Sequence, residues 1–88
     1  MSAGSFKFAG PKHVISDEGF SVRRKARSEL VYEEGSLSLP IEVESGRGLA
    51  VYFSASTKSA NIDRDALLEI RKRIESALVF MGGTFEII

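Results

Sequence analysis

The chain of 88 residues contains no cysteine and no tryptophan, one histidine and two prolines. Without cysteine there is no disulfide, no thiol nucleophile and no thiolate-ligated zinc or iron–sulfur site. One histidine is a poor start for a metal centre, which needs several clustered ligands. Twelve basic residues cancel twelve acidic ones, so no global field draws in nucleic acid or an anionic membrane. Uninterrupted apolar stretches such as Leu49 to Phe53 fall far short of a membrane span. The opening Met1-Ser2-Ala3-Gly4-Ser5 lacks the basic cluster and apolar run of a secretory signal, and the expected location is the cytoplasm.

What is present describes a folded chain. Its 43% hydrophobic and 27% charged residues exclude the composition of a disordered segment. The length fits one domain over residues 1–88, with a net stability of about 4–13 kcal/mol. Residues 1–12, rich in Gly, Ser and Ala, are expected to form a loose lead-in with a short strand at Phe6-Lys7-Phe8.

From His13 to Thr57 strands alternate with turns. His13-Val14-Ile15 and Phe20 to Arg24 flank Ser16-Asp17-Glu18-Gly19, which has turn chemistry. Taking Glu34-Gly35 as a two-residue hairpin loop sets Tyr32 against Leu37, Leu30 against Leu39 and Val31 against Ser38. Taking Ser45-Gly46-Arg47 as a three-residue loop sets Val43 against Leu49, Ile41 against Val51 and Leu39 against Phe53. Both hairpins put apolar residues on one face. The other face carries Ser38, Pro40, Glu42, Glu44, Tyr52, Ser54 and Val31.

Beyond Asn61 the period changes. Leu67, Ile70, Ile74, Ala77, Leu78 and Met81 recur at helical spacing and form one apolar stripe. Asp63 is placed to cap the helix, Ile62 and Leu67 to staple it, and Gly82-Gly83 to end it. Thr84 to Ile88 reads as a final short strand. The expected fold is α+β: an antiparallel meander of about four to six strands, with the C-terminal helix packed on its apolar face.

No catalytic constellation stands out. His13 has Asp17 and Glu18 across a turn, but a general base also needs a nucleophile within reach. Glu33-Glu34, Glu42 with Glu44, and Asp63 with Asp65 have the spacing of a wet strand face or a helix cap. The glycines of Gly46-Arg47-Gly48 and Gly82-Gly83 do not open a helix, as a phosphate-binding loop would. No enzyme, cofactor or metal is therefore expected.

Two binding surfaces compete. Arg23, Arg24, Lys25 and Arg27 form a basic run able to contact phosphates, although no aromatic platform flanks it. Glu42, Glu44, Tyr52 and Ser54 lie on the open sheet face, where a tyrosine supplies interface area at low entropic cost. A role as accessory subunit of a larger assembly, through a sheet edge or Thr84–Ile88, is a third reading. As to self-association, a monomer or weak homodimer is expected.

The order Tyr32-Glu33-Glu34-Gly35, Leu37 to Glu44, Val51-Tyr52-Phe53-Ser54 and the helix closing on Ile70 to Gly82 resembles a small α+β family of immunity proteins. Members of that family are encoded beside bacterial polymorphic toxins. The resemblance spans roughly residues 20–88. It implies a non-enzymatic inhibitor that neutralises one cognate toxin by tight association. Glu42, Tyr52 and Ser54 fall in both the family-like segments and the open face.

Overall fold

The computed structural model describes residues 5–88. It holds seven strands: β1 (Phe6–Gly10), β2 (His13–Ser16), β3 (Phe20–Ala26), β4 (Glu29–Glu34), β5 (Leu37–Ser45), β6 (Leu49–Tyr52) and β7 (Phe85–Ile87). A short helix α1 (Phe53–Ser56) and a long helix α2 (Arg64–Met81) separate β6 from β7. The strands form one curled sheet in sequence order, and the fold is α+β.

Two expectations need correction. There are seven strands, not four to six, and the sheet is mixed because β7 runs parallel to β6. Parallel neighbours need a long crossover, and α2 supplies it across the apolar face. The extra strand at the other edge comes from the lead-in. Phe6-Lys7-Phe8 extends to Gly10 and pairs with β2, Phe6 opposite Ser16 and Phe8 opposite Val14.

Both tested hairpins pair two residues out of the expected register. Glu34 pairs with Leu37 and Tyr32 with Leu39, so the loop is Gly35-Ser36. Gly35 has φ of 59°, and the first loop position is where a type II′ turn requires glycine. In the next hairpin Val43 pairs with Val51 and Glu42 with Tyr52, leaving Gly46-Arg47-Gly48 as the loop. A slip of two conserves the side-chain period, so Leu30, Tyr32, Leu39, Ile41, Val43 and Val51 all reach the core as expected. Leu39 does not face Phe53, because the chain turns into α1 at that residue.

Helix α2 follows its sequence signals. The Asp63 carboxylate accepts a hydrogen bond from the Ala66 amide at 2.8 Å. Gly82 and Gly83 take φ of 87° and 91°, a region that stops a helix cheaply only at glycine. Ile70, Ile74, Ala77 and Leu78 are buried against the sheet. Glu69 and Arg73 approach to 3.6 Å as a four-apart pair, whereas Arg71 turns away from Glu75 and donates to the Ile87 carbonyl at 3.1 Å.

Truncating Ile74, which is wholly buried, to alanine is expected to cost about 2–5 kcal/mol in urea denaturation. Asp63→Ala is expected to cost about 1 kcal/mol, the usual worth of a helix cap.

Candidate functional site

The face opposite α2 is built by the register. One row runs Glu29, Glu42, Tyr52 across β4, β5 and β6. The next runs Glu44, Ala50, Glu86 across β5, β6 and β7. Tyr52 is half-buried, and its hydroxyl donates to Glu44 Oε1 at 2.8 Å. That hydrogen bond, followed by the charges of Glu44, Glu42 and Glu86, holds the phenol above its ordinary range. Three carboxylates thus surround one tyrosine, with Glu29 beyond Glu42 in the same row, and among the described residues none of the four forms an ion pair. Nor do any three acidic or histidine side chains among the described residues converge as metal ligands.

The structure brings Glu42, Glu44 and Tyr52 together as expected and adds Glu29 and Glu86. Those two were missed because each reaches the patch only through a cross-strand neighbour. The signal for Glu29 was its place one strand over from Glu42, hidden while the hairpin register was two residues out. Ser54 departs from the expected place. It lies in α1, off the strand row, with its amide donating to the Ile88 carbonyl at 3.0 Å. Val31 also differs. Although on this face, it is only 3% exposed, between Arg23 on β3 and Pro40 on β5.

The basic run is divided. Arg23 points to the outer face and pairs with Glu33 at 3.4 Å. Arg24 points the other way; its guanidinium donates to the carbonyls of Ala26 and Arg27 and to Ser45 Oγ at 2.9 Å. A bulge between Arg24 and Ala26 displaces Lys25, which is exposed together with Arg27. The four cations therefore share no face.

His13 and Asp17 stand at opposite ends of β2, about 13 Å apart at roughly 3.3 Å per residue. The Asp17 carboxylate accepts from the Ser5 amide at 3.0 Å. His13 and Asp17 make no acid–base pair.

A second polar cluster lies where helix meets sheet, with Tyr32 inside and Glu34 reaching solvent. Tyr32 is fully buried; its hydroxyl donates to Glu34 Oε1 at 2.8 Å and accepts from Arg73 Nη1 at 2.9 Å. Arg73 also meets Glu34 at 3.0 Å and stacks over Phe20 at 4.9 Å. Burial pushes the Tyr32 phenol up to about 12, against the pull of Arg73. The Tyr32 hydrogen bond, then that of Arg73, holds Glu34 below the ordinary carboxylate range. This cluster joins helix to sheet and presents no reactive group to solvent in an unusual ionisation state.

Comparison with protein-family models, with curated proteins and with solved structures finds no match for this chain. No helix among the described residues is long and apolar enough to cross a membrane.

Tyr32 and Tyr52 are the two tyrosines, so Tyr52→Phe isolates Tyr32. Its ultraviolet titration is expected at about 12, not at the ordinary value of about 10. A raised phenol pKa favours the fold fully below the unfolded value, so stability should fall as pH rises from about 10 towards 12. Glu34 works in the opposite sense. Its depressed pKa stabilises the fold above the ordinary carboxylate pKa of about 4.3, and that contribution goes as pH falls through the folded value. Glu34→Gln should flatten this acid limb in urea midpoints measured across pH.

Proposed function

We propose that this chain is a binding protein of the immunity type, which neutralises a toxin by holding it against the open sheet face around Tyr52. The observation that carries the reading is the direct pairing of Glu29 with Glu42 on that face. Like charges opposite each other on neighbouring strands destabilise a sheet by roughly 0.2–1 kcal/mol. Glu44 and Glu86 lie in the next row of the same face, and the sheet gains nothing from this gathering of like charge alone. A partner presenting lysine or arginine would turn that repulsion into attraction and speed encounter.

Tyr52 sits among these carboxylates as the large, conformationally cheap side chain that binding hot spots favour. The resemblance to immunity proteins supplies the class of partner, a toxin encoded nearby in a bacterial cell, met in the cytoplasm. The arrangement requires no cofactor and no catalytic group.

The test is co-purification with the product of the neighbouring gene, followed by titration of variants. Tyr52→Ala is expected to weaken affinity about 30-fold, the equivalent of a hot-spot loss of about 2 kcal/mol. Glu42→Gln with Glu44→Gln should slow association and reduce its salt dependence. Unchanged affinity in Tyr52→Ala would reject the face. Failure to retain the neighbouring product would reject the immunity role.

A further inference from the structure

The outer edge of β1 carries an exposed aromatic pair. Phe8 is 54% exposed, and beside it on α2 stands Phe80 at 43%. The Phe8 and Phe80 rings lie 5.2 Å apart, and Phe6 meets Phe80 at 5.5 Å. Among the described residues the outer backbone of β1 has no partner either. Ser5 accepts from the Asp17 amide, so Ser5 and Lys7 spend their backbone groups on β2. In an antiparallel pair the intervening residues point outward, which turns the amides and carbonyls of Phe6 and Phe8 to the open edge. An exposed apolar edge of this kind is a template for another strand.

We propose that this edge binds a second copy of the chain, with the two β1 strands antiparallel about a twofold axis at Phe8. Side-chain register selects that axis. Pairing Phe6 with the second copy's Phe8 would set Lys7 directly against the other Lys7, a repulsive arrangement. Centring on Phe8 sets the two Phe8 residues against each other, beside both Phe80 rings, and sets Lys7 beside the bulged Ala9–Gly10 segment of the other copy, away from its Lys7.

Charge supports the same orientation. At the Ser5 end of β1 lie Asp17 and Glu18, in the β2–β3 turn; at the Gly10 end lies Lys12, in the β1–β2 turn. Lys12 is exposed and forms no ion pair among the described residues. Antiparallel pairing brings each Lys12 towards the other copy's Asp17 and Glu18, twice over. With no net charge on the chain, nothing opposes the approach globally. The two sheets would join into one.

Light scattering and sedimentation of the whole chain test this, with 9.6 kDa as the mass of one copy. A concentration-dependent dimer is expected, and Phe8→Lys should return it to monomer with an unchanged circular dichroism spectrum. Lys12→Glu should weaken association at least about tenfold at low salt, and adding Glu18→Lys should restore it. If Phe8→Lys fails to fold, amide exchange of the unaltered chain decides. Phe6 and Phe8 should be protected only at concentrations where the dimer forms. A monomer at all concentrations to about 1 mM, a dimer that survives Phe8→Lys, or Phe6 and Phe8 amides that exchange freely in the dimer would each overturn the proposal. Tyr52→Ala should leave the dimer intact, so this edge and the toxin-binding face fail or stand separately.

Discussion

The hydroxyl of Tyr32 is buried where helix meets sheet, and much of the molecule follows from how it is satisfied. An unpaired buried hydroxyl costs on the order of 1–3 kcal/mol. Glu34, two residues along the same strand, accepts its proton, and Arg73 donates to its oxygen from α2. The Arg73 guanidinium sits over the Phe20 ring, 4.9 Å from its centre, and Phe20 stacks on Tyr32 at 5.6 Å. One arginine therefore fixes both the height and the rotation of the helix over β3 and β4. Hydrophobic burial of Ile70, Ile74, Ala77 and Leu78 supplies most of the energy, but it is tolerant of sliding. The contacts that Arg73 Nη1 makes with the Tyr32 hydroxyl and the Glu34 carboxylate are not.

That single helix must serve a wide sheet. Seven strands at about 4.8 Å spacing span roughly 29 Å, and an 18-residue helix is about 27 Å long and about 10 Å across. A flat sheet would leave much of its apolar face wet. Curling brings the strands round the helix, within overall extents of 30 × 29 × 24 Å. Cover still thins towards β1. Phe6 still meets Phe20 of the core at 5.8 Å, but Phe8, one step further along the edge strand, meets the flank of Phe80 and stays 54% exposed. Partial cover at one edge is the direct result of having one helix for seven strands.

The layout of the core was legible because its signals are periodic. A register error of two residues at Gly35 and again at Gly46 left every side chain on its correct face, and the α2 stripe with its Asp63 cap required no partner strand to be recognised. The composition of the outer face was less legible. Which carboxylates gather around Glu42 and Tyr52 depends on exact pairing across three strand boundaries, which sequence order alone does not fix for Glu29 and Glu86. Ser54 continues the strand alternation in the sequence, yet Phe53 is drawn into the core and the chain coils into α1. The basic run looked contiguous because sequence order does not record that Arg23 and Arg24 point to opposite sides of the sheet.

A net charge of zero conceals strong segregation. In a meander successive turns alternate between two ends. The β1–β2, β3–β4 and β5–β6 turns share one end and carry Lys12, Arg27 and Arg47; the β2–β3 turn at the other carries Asp17 and Glu18. Glu29, Glu42, Glu44 and Glu86 concentrate negative charge on the outer face between them. Within a Debye length of about 10 Å, a partner meets one of these regions and not the average. The outer face offers carboxylates and a tyrosine, suited to a cationic protein surface, whereas the β1 edge offers phenylalanines between opposite charges, suited to its own likeness. Because α2 occupies the inner side of the sheet, the two surfaces lie on the remaining outer side and at its rim, and occupation of one need not block the other.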